Sequence, residues 1–315
     1  MNVKVVITDW GFPSLEPEKK VFEGKKIDVV DFQCKTEEEV VRIVADADVV
    51  MAQWAPVKAK AIEAMNRCKG IVRYGIGLDN IDLDAARKKG VPVRNVPDYC
   101  VDEVADHTMA LVLALQRQIP GVFQRIREGT WKITPPLELP PLRRSTLGLV
   151  GFGRIGRLVA DRAKAFGMKT IAFDPAVPES ELRGFGVEHA DLGRLMRESD
   201  VVSLHCPLTE KTKHIVNASA LAMMKRTALL VNTSRGGLVD LDALIEALLG
   251  GVIGGAALDV FESEPLPGNH PFLSAPNALA TSHIAWYSSA SIRELQHRAA
   301  LLVLELLEGR TSSNA

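Results

Sequence analysis

Surplus charge of either sign is nearly absent from this chain of 315 residues: 38 Lys and Arg stand against 39 Asp and Glu, a net charge of -1. Without a basic stretch or a run of one sign, there is no electrostatic basis for nucleic acid or an anionic membrane as partner. No segment approaches the length of a transmembrane span. The apolar part of Met1-Asn-Val-Lys-Val-Val-Ile-Thr-Asp9 is too short for a signal peptide and reads as a first strand. The four cysteines, Cys34, Cys68, Cys100 and Cys206, are widely separated and form no C-x-x-C. They are expected as free thiols in a reducing cytoplasm. His205, Cys206 and His214 match no common zinc ligand spacing, so no metal is expected. Internal repeats and low-complexity tracts are also lacking.

What the chain has is 47% hydrophobic residues, ample at this length for two domains with their own cores. Its most informative segment is Gly148-Leu-Val-Gly151-Phe-Gly153-Arg154-Ile155-Gly156. It reads as a buried strand, a tight glycine turn, and a helix starting near Arg154. Gly151, Gly153 and Gly156 are spaced G-x-G-x-x-G: the first permits the turn, the second lets the backbone approach a pyrophosphate, and the third lets helix and strand pack closely. The helix N-terminus offers N–H groups and a positive dipole end to the anion. A second apolar run, Lys169–Phe173, follows the helix and ends on Asp174, where a ribose-binding acid is expected. A carboxylate there accepts hydrogen bonds from the ribose of NAD and repels the phosphate that NADP carries, so NAD is the expected cofactor.

The first hundred residues form a strand–helix alternation of their own. Strands are expected at Val3–Ile7, Ile27–Phe32, Ala47–Ala52, Ile71–Tyr74 and Val91–Val96. A helix begins at Thr36, with Glu39 completing a capping box. Another, Leu83–Lys89, stops at Gly90. Alternation of this kind implies a parallel sheet covered on both faces. A long helix over Val101–Gln118 with acidic residues in its first turn then leads to the proline-rich stretch Thr134–Pro141, expected as a linker or as an arm packing on a second subunit. The last helix, about Ser291–Leu307, follows the last strand of the dinucleotide unit, so the chain can return to the first domain. The fold expected is α/β with two doubly wound parallel-sheet domains. A Rossmann domain over 101–287 is inserted into a flavodoxin-like substrate domain made of 1–100 and 288–315, with a cleft at the double crossing.

Three later segments share one layout, an apolar strand with a polar group at its C-terminal end: Ala228–Gly237 with Arg235, Gly255–Pro265 with Asp259 and Glu264, and Ala278–Tyr287 with His283 and Trp286. Ligands of open parallel sheets bind beyond these ends, so Arg235, Glu264 and His283 are expected to converge near the nicotinamide. The residue types suit reduction of a 2-oxo acid. Arg235 can bind a carboxylate through two parallel hydrogen bonds. His283 can pass a proton to a developing alkoxide. Glu264 can hold the other imidazole nitrogen and favour the charged ring.

Over essentially its whole length the chain resembles the D-isomer-specific 2-hydroxyacid dehydrogenase family, through Asn80-Ile-Asp82, Gly151-Phe-Gly153-Arg-Ile-Gly156, Asn232-Thr-Ser-Arg235-Gly-Gly, Leu258-Asp-Val-Phe-Glu-Ser-Glu264-Pro and His283. The resemblance implies that Arg235, Glu264 and His283 are catalytic, and it selects Glu264 over Glu262. It also implies cofactor contacts from Gly151, Gly153, Arg154, Ile155, Gly156, Asp174, Thr233, Arg235 and His283. It puts Asp259 on the nicotinamide carboxamide, and Cys206, Pro207 and Thr212 on the adenosine side. The substrate carboxylate is expected on backbone N–H groups of the Gly75-Ile76-Gly77 turn, facing Arg235, and dimers are expected through the nucleotide domain and the Val101–Ser145 arm. Within the family, His283-Ile-Ala-Trp286-Tyr287 resembles the corepressors called C-terminal-binding proteins. Ile284-Ala285 replaces the glycine pair of many phosphoglycerate and glyoxylate or hydroxypyruvate enzymes. Trp286 is therefore expected to wall a pocket for apolar side chains, with a core or dimer contact as its other reading. Two functions remain open: an NAD-dependent 2-oxo acid reductase, and a dinucleotide-sensing regulatory protein in which a partner reads the NAD-bound state.

Overall fold

The computed structural model describes residues 2–132 and 140–310, so Thr134–Leu139 of the proline-rich stretch lie outside the described residues. The chain divides into two compact units, Met1–Tyr99 with Ser288–Ala315, and Cys100–Tyr287.

The first unit carries five parallel strands, β1 (Val3–Ile7), β2 (Ile27–Asp31), β3 (Val49–Ala52), β4 (Ile71–Arg73) and β5 (Val93–Asn95), in the order β2-β1-β3-β4-β5. Its helices are α1 (Glu16–Phe22), α2 (Glu37–Ile43), α3 (Ala59–Ala64), α4 (Leu83–Lys89) and, from the end of the chain, α12 (Ser289–Leu307). Strand order reverses between β1 and β3, which makes that point the switch of a doubly wound sheet. β3 is the central strand and all four of its residues are buried, as a strand covered on both faces requires. Local chemistry sets the helix ends. Thr36 and Glu39 form the capping box of α2. Asp82 accepts from Ala85 N at the start of α4, and Gly90 ends it at φ +73°, a conformation open to glycine at little cost. Ser288 and Ser291 cap α12 reciprocally.

The strands are trimmed relative to their sequence patterns. β3 starts at Val49 rather than Ala47, because Ala47 N closes a turn onto Val44 O (3.2 Å). A buried carboxylate lies behind β4. Glu18 on α1 accepts from Tyr74 Oη (2.9 Å) and from Gln296 Nε2 on α12 (2.8 Å). Burial raises the Glu18 pKa above the ordinary carboxylate value, against the opposing effect of a backbone hydrogen bond and the Gln296 and Tyr74 side chains.

The second unit holds seven parallel strands in the order β12-β11-β10-β9-β6-β7-β8. They are β6 (Thr146–Val150), β7 (Lys169–Phe173), β8 (Glu188–His189), β9 (Val201–Leu204), β10 (Leu229–Asn232), β11 (Gly255–Leu258) and β12 (Ala278–Ala280). The helices are α5 (Val101–Gln116), α6 (Ile119–Arg127), α7 (Arg154–Ala165), α8 (Glu179–Gly184), α9 (Leu192–Glu198), α10 (Ala218–Met223) and α11 (Leu241–Leu249). The single helix expected to Gln118 is two: α5 stops at Gln116, and Gln118 at φ +50° breaks the path before α6. Leu147 and Leu149 of β6 are fully buried with Val159 and Ala163 of α7. The buried leucine and valine side chains contribute about 1.5–3 kcal/mol each, which holds strand, glycine turn and helix together.

Candidate active site

Reversal of strand order in the second unit falls between β6 and β9, and the glycine turn stands at it. Gly151 adopts φ +98°. A Cβ there would lie 2.6 Å from Cys206 N and 2.7 Å from His205 O, the backbone following β9. A Cβ on Gly156 would lie 2.6 Å from Gly151 O, so helix and turn touch only because no side chain intervenes. At Gly153 the opposite holds: nothing lies within 4 Å of the position a Cβ would take. That open face, together with the first turn of α7, whose N-cap residue Gly153 supplies no side-chain cap, fits a pyrophosphate against Arg154 and Ile155 N–H groups. Asp174 follows β7 beside this turn. Its Oδ2 accepts from Phe152 N (2.8 Å) and its Oδ1 from Ala176 N (2.9 Å). Each oxygen keeps a further lone pair for a ribose hydroxyl.

The Cys206–Thr212 loop is tied to itself: Thr212 Oγ1 donates to Pro207 O (2.6 Å) and accepts from Thr209 N (2.8 Å). His205, at its root, is half-buried, with its ring turned inward. Ser203 Oγ is 2.8 Å from its Nε2, and burial pushes its pKa down to about 4. The ring is therefore neutral and is a packing group behind the glycine turn. Burial also pushes the Cys206 thiol up to about 11, which makes it a poor nucleophile. All four cysteines are free. Among the described residues no cluster of His, Cys, Asp or Glu is placed to hold a metal ion.

Arg235, Glu264 and His283 come together at the C-terminal ends of β10, β11 and β12. Asn232 shapes the first loop, accepting from Ser234 N (3.0 Å) and donating to Arg235 O (2.8 Å). Gly236 lets that loop lie against the Phe261–Glu262 backbone, which a Cβ at 236 would overlap. Glu264 divides its two oxygens: Oε1 accepts from Phe261 N (2.9 Å), and Oε2 is 2.8 Å from His283 Nδ1. Burial acts to raise the Glu264 pKa. The His283 and Phe261 N–H hydrogen bonds and the charges of His283 and Arg235 outweigh it, so Glu264 lies below the ordinary value. With Nδ1 engaged, Nε2 is the His283 atom left for proton transfer. Glu262 points elsewhere, to His214 Nε2 at 2.7 Å.

His283 itself sits at φ +54°, a conformation that costs a residue other than glycine energy unless its surroundings impose it. Asp259 imposes it. Its carboxylate is 1% exposed and accepts from Thr281 Oγ1 (2.5 Å), Ile284 N (2.9 Å) and Ala285 N (2.9 Å), closing the turn around His283. A nicotinamide carboxamide would have to share oxygens already occupied in this way. Trp286 donates from Nε1 to His283 O (2.8 Å). Thr233 is buried, and its hydroxyl meets Thr108 on α5 at 2.9 Å. His107, one residue earlier, reaches Thr281 Oγ1 at 3.0 Å and was not singled out by any sequence signal.

In the first unit the Gly75-Ile76-Gly77 turn follows β4. Gly75 adopts φ +138°, and Asn95 Nδ2 donates to Ile76 O at 2.7 Å. Arg73 folds its guanidinium across this turn, into the place a side chain at 75 would take. In the sequence, the only mark of Arg73 is its place two residues before this glycine.

A glycine turn at the switch point of a seven-stranded parallel sheet, with an acid ending the next strand, defines a Rossmann-type NAD-binding domain. The chain belongs to the D-isomer specific 2-hydroxyacid dehydrogenase family, whose NAD binding domain matches residues 109–285. Hydroxypyruvate reductase of Thermotoga maritima is 44% identical over 271 residues, which are 85% of this chain and 86% of that one. Glyoxylate reductase of Korarchaeum cryptofilum is 42% identical over 272 residues, covering 85% and 81%. In structure, the D-lactate dehydrogenase from Aquifex aeolicus complexed with NAD and lactic acid matches at a TM-score of 0.88 and 29% identity, covering 97% of this chain and 96% of that one. These enzymes do not favour a purely regulatory protein related to the C-terminal-binding proteins.

Proposed function

We propose that this chain is an NAD-linked D-2-hydroxyacid dehydrogenase that reduces 2-oxo acids, with Arg235, Glu264 and His283 as its catalytic residues. The observation that carries the reading is the His283–Glu264 pair, at 2.8 Å, set on a strained turn beside Arg235. Bound NADH supplies the hydride. His283 holds the proton at Nε2 for the carbonyl oxygen, Glu264 orients the ring, and Arg235 offers a planar cation to the substrate carboxylate. Asp259 is a positioning residue that keeps His283 in place. In the Gly75–Gly77 turn of the first unit Gly75 N donates to Arg73 O (3.0 Å), which leaves the Ile76 and Gly77 N–H groups for a carboxylate, and Trp286 stands as an apolar wall next to the proton donor.

The open face at Gly153 would hold the pyrophosphate, and Asp174 would hold the ribose and disfavour the phosphate of NADP. The Cys206, Pro207 and Thr212 segment lines the adenosine side. The active form is a homodimer. Its support is the apolar row Ile119, Phe123 and Ile126 on α6, a helix with no buried residue, in which Phe123 is 60% exposed; rows of this kind at helical spacing usually meet a partner. Free thiols fit a reducing cytoplasm, and among the described residues no helix is long and apolar enough to cross a membrane.

The test is NADH oxidation against a panel of 2-oxo acids by wild type and His283→Ala. Wild type should turn over at least one acid, and the variant should lose on the order of 100-fold or more in kcat with little change in NADH affinity. An inactive wild type that still binds NADH tightly would return the lead to the sensing role.

A further inference from the structure

Helix α5 packs against β10, β11 and β12 of its own sheet. Two of its acids are committed to α7: Asp102 Oδ1 accepts from Arg162 Nη2 (2.9 Å), and Asp106 Oδ1 accepts from Arg162 Nε (2.6 Å). Those bonds fix the helix on its neighbour. The next two residues, His107 and Thr108, reach the ends of β12 and β10 instead. Thr108 meets Thr233, two residues before Arg235, and His107 meets Thr281, two residues before His283. The proposed chemistry uses neither of these α5 side chains.

Counting protons fixes the direction of each contact. Thr108 Oγ1 gives its one proton to Val104 O (2.7 Å), so at 2.9 Å it accepts from Thr233 Oγ1. Thr281 Oγ1 gives its proton to the Asp259 carboxylate (2.5 Å), which can only accept. Toward His107, 3.0 Å away, Thr281 is therefore the acceptor and His107 Nε2 the donor. The bonds run one way, from His107 Nε2–H to Thr281 Oγ1–H to Asp259 Oδ1. That oxygen is the one that also takes Ile284 N–H (2.9 Å), next to His283. His107 Nε2 is itself 3.7 Å from it, beyond a direct hydrogen bond. Bonds aligned in this way polarise and strengthen one another.

We propose that His107 is a positioning residue for the proton donor: through the Thr281 hydroxyl it sets the Asp259 carboxylate, and Asp259 sets the turn that aims His283. The inference rests on the 2-oxo acid reductase reading above. His107 takes no part in proton transfer itself. Removing it releases Thr281 from α5, and the Asp259 oxygen shared by Thr281 and Ile284 N is then held less firmly. Helix α5 becomes the fixed reference for both strand ends, holding the Arg235 loop through Thr233 and the His283 turn through Thr281. What the role requires of residue 107 is a donor of the right reach, not a charge. A neutral amide at that reach serves as well, which separates this role from an ion pair with Asp259.

The experiment measures kcat and KM on a 2-oxo acid that wild type turns over, and the NADH dissociation constant, for His107→Leu, His107→Gln, Thr281→Val and the double variant His107→Leu with Thr281→Val. His107→Leu should lower kcat by roughly fivefold to twentyfold, part of the hundredfold that a 1 Å displacement brings, with NADH affinity unchanged within about twofold. His107→Gln, whose amide donates from the same reach without a charge, should keep kcat within about threefold of wild type. Thr281→Val should cost at least as much as His107→Leu. The double variant should be no slower than Thr281→Val, because both changes break one chain of bonds. Wild-type kcat in His107→Leu, a loss in His107→Gln as large as in His107→Leu, or losses that multiply in the double variant would each overturn the His107 assignment and leave the reductase reading standing. If wild type reduces no 2-oxo acid, the reductase reading fails and takes this inference with it.

Discussion

Replacing Asp259 by Asn separates two roles for this carboxylate, holding the His283 turn and touching the cofactor. The side chain is 1% exposed and accepts three hydrogen bonds, from Thr281 Oγ1, Ile284 N and Ala285 N. Hydrogen bonds to a charged acceptor contribute about 1.5–3 kcal/mol each. An asparagine keeps one carbonyl oxygen, which can still serve Thr281 and Ile284 as a neutral acceptor. Its amide nitrogen then faces Ala285 N, donor against donor, and that N–H loses its partner. Weakening two bonds and losing the third gives a loss of about 2–4 kcal/mol, or roughly 5–12 °C in the melting temperature of a domain this size. The turn relaxes away from φ +54° at His283. A shift of about 1 Å in a proton donor costs on the order of 100-fold in rate. Melting curves, steady-state kinetics and NADH titration should therefore show a lower melting temperature and a much lower kcat with NADH affinity nearly intact. Wild-type stability and turnover would refute the positioning role. A loss confined to NADH affinity would refute it as well, and would put Asp259 on the nicotinamide.

Asp174→Asn should narrow the ratio of kcat/KM for NADH over NADPH, since the repulsive charge beside the ribose is removed; an unchanged ratio contradicts the cofactor assignment. Glu18→Gln should flatten the pH dependence of stability. The folded-state pKa of Glu18 is raised, so the folded chain holds this proton more tightly than the unfolded one. Wild type accordingly loses stability as pH rises from the ordinary carboxylate range through the folded pKa. The melting temperature of the variant relative to wild type should thus climb as pH rises above the ordinary carboxylate range, and a constant difference would be the opposing result. Phe123→Glu places a charge in the apolar row of α6 and should turn a dimer into a monomer by light scattering; a dimer of undiminished stability removes that surface from the interface.

Where chain-local chemistry decides, the sequence is readable. Glycine spacing at 151, 153 and 156 specifies strand, turn and helix because a Cβ at either the first or the third would strike backbone. Thr36 with Glu39, and Gly90 after α4, mark helix ends because caps act within a few residues. Arg235, Glu264 and His283 were legible from their common place at strand ends. Less visible were features made by residues far apart in the chain. Asp259 is marked in the sequence by its place at a strand end, but its hold on the His283 turn is visible only where its oxygens meet Ile284 and Ala285 N–H groups. Glu18 reads as a surface residue of a lysine-rich helix, and only the closing of α12 over α1 buries it. The break between α5 and α6 hinges on Gln118 adopting a left-handed conformation, which no glycine announces.

The most direct measurement of the central claim is the stereochemistry of the product. Purified protein, NADH and a 2-oxo acid that it turns over are incubated to completion, and the 2-hydroxy acid is resolved by chiral chromatography. Family membership and a single proton donor fixed at His283 predict the D-isomer alone, formed in amounts equal to the NADH consumed. An L-isomer, a racemate, or NADH consumption without a 2-hydroxy acid product would contradict the account.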